Sequence, residues 1–282
     1  MTPRFVRSRN VWLIASGALF ATIALVAGMV IGDHLGGRDS APPPAALTAD
    51  FARLESTLHA AVGIAVSAVG TGQAPIILGD WKSGPAWSTI KVPLVIAALR
   101  EENPRKVTNA MTAAITESDN AAAESIWASL GDPLTAAHKV EAVLRQTGDP
   151  TTVQSRRIRP EFTAFGQTVW SLTDQVRFTS VALCDNVNAP IFAMMGRVEP
   201  DQRWGIGTVS GTQFKGGWGP SPTRSYLVRQ LGVLSTPNGS IAVALAAQPA
   251  SGTFEDGKAA LTEMAMWLTA HLGSLPVGHC GP

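Results

Sequence analysis

Hydrophobic and polar positions fall into three regimes along the chain. Residues 11–32 form one uninterrupted uncharged run rich in Leu, Ile, Val and Ala. At ~1.5 Å per residue such a run is long enough for a hydrocarbon core of about 30 Å. Residues 33–47 carry Gly36-Gly37 and Pro42-Pro43-Pro44 and read as a linker, stiff where the prolines lie. From residue 48 the pattern is that of a globular domain. Phe51, Leu54 and Leu58 recur at helical spacing. Residues 62–69 alternate as a strand, Gly70-Thr71-Gly72 turns the chain, and 74–80 reads as a second strand. An apolar segment beginning at Ser88 predicts a buried helix that ends near Asn103-Pro104. Further helices are predicted over 107–117, 121–130, 133–145 and 172–184, with an irregular stretch at 149–170.

Around Trp204 the character changes to Gly-rich turns and short strands, predicted at 207–217, 226–236 and 240–248. Pro237-Asn238-Gly239 reads as the hairpin between the last two. A final amphipathic helix over 254–272 turns Leu261, Met264, Trp267, Leu268 and Leu272 inward. The order predicts an α+β domain over 48–282. One five-stranded antiparallel sheet is flanked by the terminal helices, an all-helical lobe covers about 88–200, and a cleft lies between lobes.

Composition narrows the class. The chain has 282 residues, 45% hydrophobic and 15% charged, with a net charge of +1, enough for one domain with a sizeable core. That charge balance argues against a nucleic-acid partner, and Arg156-Arg157-Ile158-Arg159 reads as a solvated loop. Arg4, Arg7 and Arg9 all precede the apolar run. Residues 1–10 are therefore expected in the cytoplasm, 11–32 as a single-pass signal anchor in the cell membrane, and the domain outside. Secretion after signal cleavage is the alternative; no small-x-small site follows closely, and no cysteine invites a lipid anchor. In an exported domain Cys184 and Cys280 can form a disulfide; otherwise they are two buried thiols. The five histidines show no metal spacing. No metal or cofactor is expected, and we expect a monomer.

The candidate chemistry starts at Ser88 and Lys91. On a helix, i and i+3 share a face about 5–6 Å apart, so the amine reaches the hydroxyl from the next turn. Apolar neighbours Ile90, Val92, Pro93, Leu94 and Val95 lower a lysine's pKa by desolvation, which makes Lys91 a base for a serine nucleophile. Two further signatures follow in order, Ser118-Asp119-Asn120 between two predicted helices and Lys215-Gly216-Gly217-Trp218 on a late strand. Each alone is an ordinary turn, cap or strand end. There is no G-x-S-x-G, no H-E-x-x-H and no G-K-[ST].

The ordered set S-x-x-K, S-D-N, K-x-G resembles the penicillin-recognising serine hydrolases, that is, the class A β-lactamases and the related D-Ala-D-Ala peptidases. The resemblance covers most of 48–272. It implies a β-lactamase/transpeptidase-like fold and a β-lactam or peptidoglycan-peptide substrate. It also implies an acyl-enzyme on Ser88 with Lys91 as base. Ser118 would relay a proton to the leaving nitrogen, Asn120 would bind the substrate amide, and Lys215 would supply positive potential. Gly217 belongs to the same strand motif, and the N–H groups of Ser88 and Trp218 would form the oxyanion hole. Glu161, in Arg159-Pro160-Glu161, resembles the family's Arg-x-Glu and would hold the deacylating water; otherwise it is a surface glutamate. Gly216 stands where the family has Thr or Ser, which removes a carboxylate-binding hydroxyl. Arg224 is the candidate replacement by a bidentate pair, or else a solvated turn residue. The Ser88–Ser118 interval is shorter than in class A. These departures leave β-lactam hydrolysis, peptidase or transpeptidase work, and a silent envelope-binding relative all open.

Overall fold

The computed structural model describes residues 45–281; the expected anchor and most of the linker lie outside that range. Helix α1 (Ala45–Glu55) leads into strands β1 (Ala60–Ala68) and β2 (Ile76–Gly79), then a short β3 (Ser83–Pro85). The middle of the chain holds α2 (Lys91–Glu101), α3 (Asn109–Thr116), α4 (Asn120–Ser129) and α5 (Pro133–Gln146). Strand β4 (Val169–Ser171), α6 (Leu172–Ala182) and α7 (Ala189–Met195) follow. Strands β5 (Gln213–Pro220), β6 (Tyr226–Thr236) and β7 (Gly239–Pro249) precede the last helix, α8 (Phe254–Ala270).

The main sheet has the order β2-β1-β7-β6-β5 with every pair antiparallel. Period-2 alternation divides its residues between two faces. Ile64, Val66, Val243 and Leu245 pack with Phe51, Leu261, Met264 and Leu268 of the terminal helices. Ala65, Ala242, Ala244 and Ala246 face the helical side, and these small side chains let α6 lie close against the sheet. Phe51 and Trp267 meet edge to face at 5.1 Å, tying α1 to α8. The hairpin lies where Pro237-Asn238 predicts it, with Thr236 opposite Gly239.

Two local expectations need correction. The strand expected over 207–217 starts only at Gln213 and runs on to Pro220, because Gly205–Thr208 forms a 3-10 turn. Buried Gln230 from β6 holds that turn: its Oε1 accepts from Ile206 N at 2.9 Å and its Nε2 donates to Trp204 O at 2.7 Å. Ser88 does not begin an α-helix. It lies in a 3-10 turn, Trp87–Ile90, and the α-helix starts at Lys91. The small β3–β4 ladder and α7 were not expected. The ladder pairs Gly84 with Trp170 and fastens the approach to Ser88 onto the exit from the irregular stretch.

Candidate active site

Ser88 enters the site under constraint. The preceding residue, Trp87, has φ +49, a left-handed conformation that costs a bulky residue roughly 1–3 kcal/mol. Its indole is locked against Gly219 and meets Phe162 edge to face at 5.1 Å. Ser88 is left half-buried, facing a cleft of about 430 Å³ that Asn120, Glu161 and Trp218 also line.

Behind it, Lys91 is 1% exposed. Its Nζ donates to Asn120 Oδ1 at 2.8 Å and to the backbone oxygen of Ser118. Burial lowers its pKa to about 7, against the opposing pull of the Asp119 carboxylate. The Ser118-Asp119-Asn120 turn is built for this contact. Ser118 takes φ +59, and Asp119 caps α4 by accepting from Ala122 N at 2.6 Å. The turn therefore points one carbonyl and one side-chain amide at Lys91.

Lys215 reaches the same turn from the sheet. It is fully buried on β5, and its Nζ donates to Ser118 Oγ at 2.7 Å and to Gly216 O at 3.0 Å. Burial, and then the charge of Lys91, push its amine well below the ordinary lysine range. Gly217 sets how closely strand and serine approach. A Cβ there would stand 2.9 Å from Ser88 N and Ala86 O, so only glycine lets the edge strand lie against the start of the 3-10 turn.

Solved structures share this architecture. A class A β-lactamase from Mycobacterium abscessus superposes with a TM-score of 0.64 at 15% identity, covering 80% of this chain and 99% of that one. The chromosome-encoded β-lactamase of Vibrio parahaemolyticus gives 0.63 at 14%, over 80% and 98%. An ancestral class A β-lactamase gives 0.62 at 18%, over 79% and 99%. The chain has the class A β-lactamase fold. No protein-family model and no curated protein matches the sequence, and at these identities it is the fold that is shared.

Within this β-lactamase fold several candidate residues stand apart from the central cluster. Glu161 lies on the cleft wall with its side chain 57% exposed, bound by Arg159 Nη2 at 3.0 Å. Its own backbone N–H, then Arg159, holds its carboxyl below the usual glutamate range. Among the described residues it makes no hydrogen bond to Ser88 or Lys91. Arg159 also donates to Pro220 O at the end of β5 and stacks over Phe162 at 4.3 Å, so the irregular stretch is strapped across the cleft. Arg224 is not brought to the site: it occupies an exposed turn before β6 with φ +66, outside the cleft lining. At Gly216 an added Cβ would stand 3.1 Å from the Trp204 ring, so the indole occupies the space a side chain would need. Cys184 and Cys280 form a disulfide, Cα–Cα 5.1 Å. Among the described residues no group of three or more His, Cys, Asp or Glu side chains is placed to hold a metal ion.

Sequence reasoning missed a buried polar network beneath Ser88. Arg229 is fully buried; its Nη1 donates to Gly84 O and Pro85 O at 3.0 Å each. Its Nη2 donates to Trp170 O at 3.1 Å and Gln175 Oε1 at 2.8 Å. Gln175 Nε2 in turn donates to Thr89 Oγ1 at 2.8 Å, and Thr89 Oγ1 to Ala86 O at 2.6 Å. Burial brings the Arg229 pKa down to about 9. The signal was Arg229-Gln230 interrupting an otherwise apolar strand.

Proposed function

We propose that the chain is a serine hydrolase that forms an acyl-enzyme on Ser88 with an amide substrate carrying a nearby carboxylate. The observation that carries this reading is the convergence on one turn. Lys91 grips the carbonyl of Ser118 and the amide of Asn120, while Lys215 holds the Ser118 hydroxyl at 2.7 Å. A neutral lysine amine has two N–H bonds and one lone pair. With both N–H groups donated to Ser118 O and Asn120 Oδ1, the lone pair is left free to take the Ser88 proton, although Ser88 makes no hydrogen bond to Lys91 among the described residues. Ser118, polarised by Lys215, then passes its hydroxyl proton to the leaving nitrogen and recovers one from protonated Lys91, so that the proton taken from Ser88 ends on the leaving amine. The N–H groups of Ser88 and Trp218 receive the oxyanion, where one such donor is worth about 2.7–4 kcal/mol of barrier.

The substrate is a β-lactam or a cell-wall peptide. The solved structures compared above are β-lactamases by name, which favours the first. The exposure of Glu161 and its capture by Arg159 favour slow deacylation, hence peptidase-like work or a binding module that retains its acyl group. In this reading the site lies outside the cell, tethered by residues 11–32. The basic-then-apolar N-terminus supports this, as does the Cys184–Cys280 bridge, since disulfides persist in oxidising compartments.

Intact-mass spectrometry of the full chain in detergent with a penicillin tests the reading. An adduct is expected, lost in Ser88→Ala. An adduct that turns over, and that persists in Glu161→Gln, identifies a β-lactamase; one that persists in the unaltered chain identifies a peptidase-like enzyme. Absence of any adduct with penicillins and with peptide thioesters overturns acyl-enzyme chemistry.

A further inference from the structure

Helix α4 carries more than the S-D-N turn. Asn120 and Ala121 line the cleft beside Ser88, Glu124 stands at its end, and Trp127 lies a turn beyond. Opposite runs the loop segment 155–164. Between helix and loop opens a second groove of about 860 Å³, lined by Trp127, Pro133, Leu134, Arg156 and Ala164. Glu124 and Arg157 belong to both cavities. They pair at 2.7 Å with side chains 32% and 51% exposed, so the partition is a solvated ion pair, weakly held. The two cavities are thus successive stretches of one seam. From Asn120 to Trp127 the helix advances about 10.5 Å at 1.5 Å per residue, a distance an extended peptide covers in about three residues.

We propose that this second groove binds the chain of a peptide substrate on the side held by Asn120, taking an aliphatic side chain about three residues beyond the amide that Asn120 binds. The inference rests on the acyl-enzyme reading and specifies its substrate class. Leu134 is 57% exposed and, with Pro133 and Ala164, offers an apolar seat. The Glu124–Arg157 crossing offers one acceptor and one donor where a peptide presents its amide groups. A plain alkyl chain would have to lie across that ion pair without satisfying it. Arg156 makes no ion pair among the described residues, and with Asp132 also in the lining the rim offers both a cation and an anion to the polar groups of a peptide.

The test uses the full chain and synthetic peptide thioesters that share one reacting end with the amide that Asn120 binds and carry one to four residues beyond it, the third being leucine. Acylation, read as thiol release, is expected to gain at least tenfold in kcat/KM when the third residue is added. Leu134→Asp is expected to abolish that gain and leave the one-residue thioester within about twofold. Rates independent of length, or a gain that survives Leu134→Asp, overturn the proposal. A second measurement separates groove from chemistry: calorimetric binding of the four-residue peptide acid to Ser88→Ala. Binding that Leu134→Asp weakens upholds the groove even if no thioester reacts and the acyl-enzyme reading falls. No binding, together with no length effect, removes the groove.

Discussion

Lys91 sits with its amine between Ser118 and Asn120 and a pKa lowered to about 7 by burial. On the acyl-enzyme proposal the unprotonated amine would be the base, so acylation of Ser88 is expected to rise with pH through about 7 and level off above. Lys91→Met removes the limb and lowers the rate roughly 10²–10⁴-fold, measurable as adduct formation against pH. The same shift affects stability. The folded pKa lies below that of the unfolded chain, so protonation costs folding free energy. That cost is complete below about pH 7 and fades as pH rises toward 10.5. Denaturation should therefore show the unaltered chain gaining on Lys91→Met between pH 7 and 10, by up to about 1.4 kcal/mol per pH unit. Arg229 works at the same scale on neutral oxygens. A lysine there cannot span Gly84, Pro85, Trp170 and Gln175. Arg229→Lys is expected to cost about 2–4 kcal/mol by urea denaturation, since each buried acceptor left alone costs about 1–3 kcal/mol. Thr89→Val should cost less and slow acylation, because it frees the turn holding Ser88.

Among the elements, edge strand β5 and the turn Gly205–Thr208 decide the shape of the cleft. Trp204 precedes that turn and covers Gly216, so restoring the missing hydroxyl needs both positions to change. Gly216→Thr alone is expected to destabilise by about 1–3 kcal/mol through overpacking. Combined with Trp204→Leu it should cost less than the sum of the two single changes, a coupling of at least about 0.5 kcal/mol in a double-mutant cycle. Strict additivity would show that the indole does not exclude a side chain there. Most elements were legible from periodicity alone: β6, β7, α5 and α8 lie where apolar spacing predicts them. The late strand was misplaced because Gln230, a residue of another strand, holds Gly205–Thr208 in a turn. No local pattern reports such a partner. Of the two readings of Arg224, carboxylate partner or solvated turn residue, the structure has the second, in the turn before β6.

For the molecule as a whole, the sheet is the frame on which distant segments meet. The bridge from Cys184 to Cys280 joins the end of α6 to the tail across a sequence separation of 96. Closing a loop of that size restrains the unfolded chain, so the Cys184→Ser, Cys280→Ser pair is expected to lose about 2–4 kcal/mol. A melting temperature unchanged by reduction would contradict this. The interlobe cleft follows from the same frame, with β5 on one wall and α4 and the loop on the other.

Local order in the chain was enough to determine most of the helices and strands, the class of fold, and which serines and lysines were worth watching. Hydrophobic period and i, i+3 spacing act between near neighbours, and near neighbours are written in the sequence. Tertiary structure alone decided that Lys215 and Ser118, 97 residues apart, share a hydrogen bond. It alone placed Glu161 against Arg159, left Arg224 in solvent, and set Arg229 beneath the serine. Those outcomes depend on burial and on which faces meet when the sheet closes, and the positions along the chain do not encode them one by one.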